Sequence, residues 1–306
     1  MTLRITVCIA QVVDIEQPIE VERGACRLDE ERLAHMLNPA DACAMEAALQ
    51  LRDRLPGSQV VAVSMGPARC DEALRDALAQ GVDEAVRVWD DVLGGCDCRA
   101  TARVLAASAH KLGTDIVVCG DRSLDGGSGI LGAQIAELLG LPVVEDVVRA
   151  EVMLDERALL CELRLGGGLR AVERAGLPAV LTIAAGVNVP RYPALRTRLA
   201  ARSVVIPCWS LSGLGVGLEE VNEEGSALRT VALLRPPPDP RGLFKPSSDL
   251  SGQERYMMAI GGGVEERQGG LCEGSPDELA AQIVANLEQG GFLRRSPRRP
   301  TSQTRA

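Results

Sequence analysis

The chain has 306 residues, enough for one large domain with appendages. Hydrophobic residues make up 46 % of it and aromatic residues only 2 %, so the core must be aliphatic and a stacking platform for single-stranded nucleic acid is not expected. A net charge of −9 argues against a basic face that follows a nucleic-acid backbone. We therefore predict no nucleic-acid partner.

Cysteine and histidine usage bounds the compartment and the metal chemistry. The ten cysteines are scattered without a CxxC pair, and His35 and His110 are the only histidines, so no metal site is predicted. The N-terminal run reaches Asp14 without the pattern of a signal peptide. No stretch approaches the roughly 20 apolar residues of a membrane span. Scattered thiols are typical of a reducing compartment, and we expect a cytoplasmic protein.

The first half of the chain alternates predicted strands with predicted helices. Strands are predicted over residues 3–13, 59–64, 84–89, 115–119 and 141–148. Helices are predicted after Asn38, which can act as a cap, and over 68–79, 98–112 and up to 139. The apolar run 115–119 is typical of a strand buried on both faces. This alternation predicts an α/β fold with a Rossmann-like, mostly parallel sheet and helices on both faces.

Beyond residue 150 the pattern changes. A hairpin is predicted from 151–153 and 158–165, a buried strand over 177–185 and a short basic helix or turn over 193–201. Prolines at 236–238 and 240 indicate an extended linker, and Ser275 with Glu278 forms a capping box before a late helix. We predict an α/β domain at 1–216, an extended arm at 217–275, a C-terminal helix at 276–290 and a basic disordered tail at 291–306.

A glycine-rich loop, residues 120–132, follows the buried strand 115–119. Ligands bind at this edge of an open α/β sheet, and glycines followed by a helix start suit a phosphate. The G-x-G-x-x-G spacing at 127–132 falls too late in the chain for an ordinary dinucleotide fold. The alternative is a tight strand-to-helix turn without a ligand.

A second distinctive segment is the proline-stiffened stretch 188–196, which presents Tyr192 and Leu195. A preorganised loop with apolar side chains suits a partner contact. The alternative is a surface loop whose Leu195 and Tyr192 fold back on the core. We find no acid, base or nucleophile constellation, so no catalytic residue is predicted and a binding or carrier role is favoured.

The chain resembles the beta subunit of electron-transfer flavoproteins over roughly residues 3–216. The stretches that carry the resemblance include NPADACAMEAALQL, DIVVCGDRSLDGGSG and LPAVLTIAAGVNVPRYPALR. The resemblance implies a nucleotide-binding domain that pairs with an alpha subunit. In that family a redox-active FAD lies mainly on the alpha subunit, the beta subunit holds AMP or a second FAD, and electrons come from a flavin-dependent dehydrogenase.

The resemblance also implies which residues act. The implied nucleotide contacts are Cys8, Asn38, Pro39, Ala40, Asp41, Met65, Gly120, Asp121, Arg122, Ser123, Leu124, Asp125, Gly126, Gly127, Ser128, Gly129, Ile130 and Leu131. The implied contacts to the dehydrogenase are Val189, Pro190, Arg191, Tyr192, Pro193, Ala194, Leu195 and Arg196, with Leu195 as the inserted side chain.

The sequence departs from the family at the phosphate turn. Gly127 and Ile130 stand where the family carries a second acid and a glutamine, so binding would use backbone N–H groups and Ser128. Two other functions stay open at this point. One is a stand-alone adenine-nucleotide-binding regulatory protein, and the other is an NAD(P)-dependent oxidoreductase, which needs a catalytic acid or base that we do not find.

Overall fold

The computed structural model describes residues 2–17, 33–221, 226–228, 250–260 and 274–289. The chain divides into two compact units, Met1–Arg235 and Pro236–Ala306. Within the described ranges, no helix has both the length and the apolar character that crossing a membrane requires.

The first unit contains five α-helices and eleven strands among its described residues. The helices are α1 (Pro39–Asp53), α2 (Asp71–Gln80), α3 (Cys98–Leu112), α4 (Leu131–Leu139) and α5 (Leu195–Arg202). The strands are β1 (Arg4–Cys8), β2 (Gln11–Val13), β3 (His35–Leu37), β4 (Gln59–Met65), β5 (Glu84–Val88), β6 (Ile116–Gly120), β7 (Val143–Met153), β8 (Ala158–Arg164), β9 (Arg170–Gly176), β10 (Ala179–Ile183) and β11 (Cys208–Trp209).

Nine of these strands form one mixed sheet in the order β11-β5-β4-β1-β6-β10-β7-β8-β9. All pairs from β11 to β7 are parallel, and β7, β8 and β9 pair antiparallel. The carboxyl ends of β1, β4, β6 and β10 therefore meet at one edge, where ligands bind in such sheets. The predicted α/β fold with a mostly parallel sheet is confirmed.

Alternate residues of the strands pack against two helical layers. On one face Ile5 of β1 belongs to a buried cluster with Met45 and Leu49 of α1. On the other face Val117 of β6 belongs to a second cluster with Val104 of α3. Because strand side chains alternate between the two faces of a sheet, a continuous apolar run can fill both cores.

The predicted strand 3–13 is wrong as one element, because the chain forms β1 and then β2. The N–H of Ala10 donates to Asp41 Oδ2 at 2.9 Å, so this backbone is tied to α1 where β1 ends. β2 then pairs antiparallel with β3 in a separate two-stranded sheet. His35 consequently lies in a strand.

The sequence also missed β9, and it indicated a capping role for the Asn38 side chain. β9 pairs with β8 and forms the end of the sheet. Asn38 does occupy the N-cap position of α1, but its side chain makes no capping hydrogen bond. The prediction for 98–112 is confirmed: Asp97 caps α3 by accepting from Ala100 N, and Gly113 ends it with φ +64°.

The second unit contains two helices among its described residues, α6 (Gly252–Ile260) and α7 (Pro276–Gln289). The capping box of α7 is confirmed, since Ser275 N donates to Glu278 Oε2 at 2.9 Å and Glu278 N donates to Ser275 Oγ at 3.4 Å. A second capping box, Ser251 with Glu254, begins α6. The predicted arm 217–275 is therefore not extended throughout, and the predicted tail 291–306 lies outside the described residues.

Candidate functional site

The carboxylate of Asp41 joins three elements at the edge where the parallel strands end. It lies in the first turn of α1 and is buried. Its Oδ2 accepts from Ala10 N after β1 at 2.9 Å, and its Oδ1 accepts from Gly120 N at the end of β6 at 3.0 Å. Burial raises the pKa of Asp41 to about 6. Asp41 thus fixes the start of the glycine-rich loop against α1 by charge-assisted hydrogen bonds.

Asn38 extends this connection into the loop. Its Nδ2 donates to the carbonyl oxygen of Arg122 at 3.1 Å, and its Oδ1 accepts from Leu124 N at 3.2 Å. The structure therefore brings segment 38–41 against the loop 120–132, the two segments that the resemblance assigned to one nucleotide site. The prediction that the Asn38 side chain caps α1 was wrong, because its amide nitrogen and its amide oxygen both form hydrogen bonds to the loop.

Two glycines permit close approach at this junction. A Cβ at Gly120 would lie 2.5 Å from Asp41 Oδ1 and 2.7 Å from Ala40 Cβ. A Cβ at Gly132 would overlap Thr182 Cγ2 of β10. Because real Cβ contacts are not this short, only glycine lets α1 and α4 pack at these distances from the loop and the sheet.

The second half of the loop offers unused N–H groups. Gly127 and Gly129 have φ of +60° and +65°, and Gly127 N donates to the carbonyl oxygen of Ser123 at 3.0 Å. In the part of the chain that the structure describes, no group accepts a hydrogen bond from the N–H of Ser128, Gly129 or Ile130. These residues lead directly into α4, whose first N–H groups also lack intrahelical partners. This arrangement suits an anion such as a phosphate.

The remaining predicted nucleotide contacts differ in accessibility. Cys8 and Ala40 are buried, Met65 is half-buried at the end of β4, and Pro39 is exposed. Burial, followed by the nearby Asp41 carboxylate, raises the pKa of the Cys8 thiol to about 12. The buried Cys8 thiol is therefore neutral at ordinary pH and offers no thiolate to a ligand.

Asp121 occupies an unusual position beside the loop. Its side chain is only 10 % exposed, and its Oδ1 has no hydrogen-bond partner among the described residues. Arg122 and Arg164 approach its Oδ2 at 3.8 and 3.9 Å. Arg164 belongs to β8, far along the chain, so no local sequence signal connected it with this edge.

The second predicted segment, 188–196, presents its apolar side chains to solvent. Val189 and Tyr192 are each 88 % exposed, and Leu195 at the start of α5 is 72 % exposed. The alternative in which Tyr192 and Leu195 fold back on the core is therefore wrong. The predicted partner-contact side chains are available, and their contact with a dehydrogenase stays a prediction.

Arg191 differs from its neighbours because it points inward and anchors the segment to α1. Its Nε donates to Glu46 Oε2 at 2.8 Å and its Nη1 donates to Asp53 Oδ2 at 3.0 Å. Asn188 Nδ2 donates to the carbonyl oxygen of Cys43 at 2.9 Å. Burial raises the pKa of Glu46, but hydrogen bonds from Arg191 and Gln50 outweigh burial and lower it overall. Glu46 is a residue that the sequence did not single out.

Comparisons with known proteins identify the family. Residues 26–213 match the electron transfer flavoprotein domain family. The chain is 32 % identical over 236 residues to the caffeyl-CoA reductase-Etf complex subunit CarD of Acetobacterium woodii, covering 77 % of this chain and 88 % of that protein. It is 34 % identical to the electron transfer flavoprotein subunit beta of Thermoanaerobacterium thermosaccharolyticum, covering 76 % and 88 %. It is also 34 % identical to the protein FixA of Azorhizobium caulinodans, covering 73 % and 80 %. The chain therefore belongs to the electron-transfer flavoprotein beta-subunit family.

Proposed function

We propose that this chain is the beta subunit of a heterodimeric electron-transfer flavoprotein that passes electrons from a flavin-dependent dehydrogenase to an acceptor. A redox-active FAD is held mainly by the alpha subunit, and this chain holds AMP or a second FAD. The observation that carries the nucleotide part is the junction at Asp41 and Asn38. It fixes, at the carboxyl edge of the sheet, a loop whose N–H groups at 128–130 have no acceptor among the described residues.

The residues present fit an adenine nucleotide. The N–H groups of Ser128, Gly129 and Ile130, with the start of α4, would hold a phosphate. The exposed carboxylate of Asp125 would accept from a ribose hydroxyl. Backbone groups thereby supply the phosphate contacts at a turn where Gly127 and Ile130 have no polar side chain. FAD, when bound, supplies the electron-accepting ring, and this chain's own residues bind and orient the nucleotide.

The partner surface is proposed to be the segment 189–196. Val189, Tyr192 and Leu195 are exposed, and Arg191 fixes the segment to α1. A loop that is ordered before it binds loses less conformational freedom on docking. Leu195 is the inserted residue that the family resemblance implies, and its side chain is 72 % exposed at the start of α5.

Co-expression with a candidate alpha subunit tests the proposed function. The purified complex should be a heterodimer with a flavin absorption spectrum, and chromatography of the released nucleotides should yield FAD with AMP, or two FAD per heterodimer. A chain that stays without an alpha subunit, gains no flavin and binds ATP as a homodimer would contradict the proposal. That result would instead support the stand-alone regulatory protein.

A further inference from the structure

Helix α3 holds the chain from Trp209 of β11 onward. Lys111, near the end of α3, donates to the carbonyl oxygen of Gly213 at 3.0 Å and lies 4.3 Å from the centre of the Trp209 ring. Arg103, in the middle of the helix, forms an ion pair with Glu220. The described residues 209–221 and 226–228 are together called the strap. Since its residue numbers rise as those of α3 fall, the strap runs antiparallel to the helix.

The strap belongs to the core of the first unit. Leu211 and Val221 are fully buried in the same cluster as Val104 and Leu105 of α3. The strap therefore continues past residue 216, where we predicted that the domain ends, and still packs in the core of the first unit. Its last described residues, 226–228, lie at the N-terminal end of α3.

Asp97 holds that end of the strap with both carboxylate oxygens. Its Oδ1 accepts from Ala100 N at 3.0 Å and caps α3. Its Oδ2 accepts from Ala227 N at 2.6 Å and from Leu228 N at 3.1 Å. The N–H of Asp97 donates to Ser226 Oγ at 3.1 Å. One residue thus caps the helix and fixes the strap.

The glycine-rich loop meets the same turn of α3. The hydroxyl of Ser128 donates to Sγ of Cys98, the residue after Asp97, at 3.5 Å. Ser128 also carries one of the N–H groups that have no acceptor among the described residues. The strap and the loop are therefore joined through two consecutive residues at the start of α3, its N-cap Asp97 and its first residue Cys98.

We propose that Asp97 is a positioning residue that couples strap residues 226–228 to the glycine-rich loop, so that a fixed strap keeps the free N–H groups of the loop aimed at an anionic phosphate. The phosphate part rests on the proposed function, whereas the mechanical coupling does not need a nucleotide. By linkage, nucleotide on the loop should in turn protect the strap.

The test variant is Asp97→Ser in the full-length heterodimer. Serine is a good N-cap, so the cap on Ala100 is retained while the acceptor for Ala227 and Leu228 is lost. We expect faster hydrogen exchange at 226–228 and in peptides covering 120–132, and roughly tenfold faster dissociation of AMP. Simple electrostatics predicts the opposite sign, because removing a negative charge near a phosphate strengthens binding. Slower AMP dissociation would therefore overturn the proposal.

The matched control is Lys111→Met at the other end of the strap. Lys111 lies 14 residues from Asp97, which is about 21 Å along a helix, so exchange should rise near Gly213 while AMP dissociation stays unchanged. A double-mutant cycle with Ser128→Ala isolates the connection through Cys98. Coupling requires that Asp97→Ser has a smaller effect on AMP dissociation in the Ser128→Ala background, and additive effects would contradict it.

The hydrogen-exchange measurement separates this inference from the proposed function. If the heterodimer binds no adenine nucleotide, the nucleotide part of the proposed function fails, and the exchange rates of 120–132 in Asp97→Ser still decide the coupling. If 226–228 exchange faster while 120–132 do not change, the strap is held by Asp97 but is not coupled to the loop, and the inference is wrong.

Discussion

At the scale of single residues, Asp41 explains both the geometry and a pH dependence of the site. Its two oxygens accept from Ala10 N and Gly120 N, and burial raises its pKa to about 6. An unfolded aspartate titrates near 3.9. Between these values the folded state holds a proton that the unfolded state has released, so the free energy of unfolding contributed by Asp41 falls as the pH rises.

Asp41→Asn should remove this pH dependence. The amide presents an NH₂ group to one of two buried N–H donors, so at pH 4 the variant should be less stable than the wild type by about 1–3 kcal/mol. Between pH 4 and 7 the difference in the free energy of unfolding between the two proteins should narrow, because only the wild type acquires a buried charge as Asp41 ionises. Urea unfolding at several pH values measures both curves.

The control for that series is Asp125→Asn, which changes an exposed carboxylate of the same loop. It should alter stability by less than about 0.5 kcal/mol at any pH. A difference between Asp41→Asn and the wild type that stays constant from pH 4 to 7 would show that Asp41 does not carry the titration.

Single-residue roles were only partly predictable from the sequence. The loop 120–132 and the segment 38–41 could be found from the sequence, because glycine content, helix signals and family motifs are all features of short stretches of chain. The hydrogen bonds from Asn38 to residues 122 and 124 could not, because they join positions more than 80 residues apart. Arg164 and Glu46 were missed for the same reason, since each acts across strands or between a helix and a distant loop.

At the scale of elements, the segment 188–196 separates into an anchor and an exposed tip. Arg191→Gln should loosen the segment, because Glu46 keeps a mostly buried carboxylate without its cationic donor. Since the Arg191 side chain is partly exposed, we expect a loss of about 1–2 kcal/mol in the free energy of unfolding.

The same variant should make peptides covering 188–196 exchange faster. Arg196→Gln changes an exposed arginine of the same segment and serves as the control, with a stability change below about 0.5 kcal/mol. Equal protection of 188–196 in both variants would mean that the prolines alone fix the segment.

Leu195 should behave as a docking residue. Leu195→Ala should slow electron transfer from a cognate dehydrogenase and leave the melting temperature nearly unchanged, because the side chain is 72 % exposed. Stopped-flow reduction of the heterodimer by the dehydrogenase measures the first effect and calorimetry the second. A buried leucine would instead cost about 2–5 kcal/mol on truncation to alanine.

Val205→Ala is the matched control for Leu195→Ala, because Val205 is similarly exposed and lies beyond the end of α5. It should leave both the transfer rate and the melting temperature unchanged. If Leu195→Ala transfers electrons as fast as Val205→Ala, the proposed tip of the docking surface is wrong.

At the scale of the whole molecule, the sequence predicted the layers of the fold but not the order of its strands. Apolar runs such as 115–119 and the helix end at Gly113 are local features, so they could be recognised directly. The position of β10 between β6 and β7 depends on pairing across more than 30 residues. β9 (Arg170–Gly176) was not predicted, because only some of its residues are apolar. α6 escaped because it follows the proline-rich stretch that indicated a linker.

Helix α1 carries both proposed sites on one rigid element. Asp41 in its first turn holds the glycine-rich loop, while Glu46 and Asp53 hold the docking segment through Arg191. An α-helix turns by roughly 100° per residue, so one inserted or deleted residue between positions 42 and 45 would carry Glu46 and Asp53 away from Arg191. Evolution can therefore vary the side chains of α1 far more freely than its length, and engineered fusions or insertions are better placed in the turns at either end.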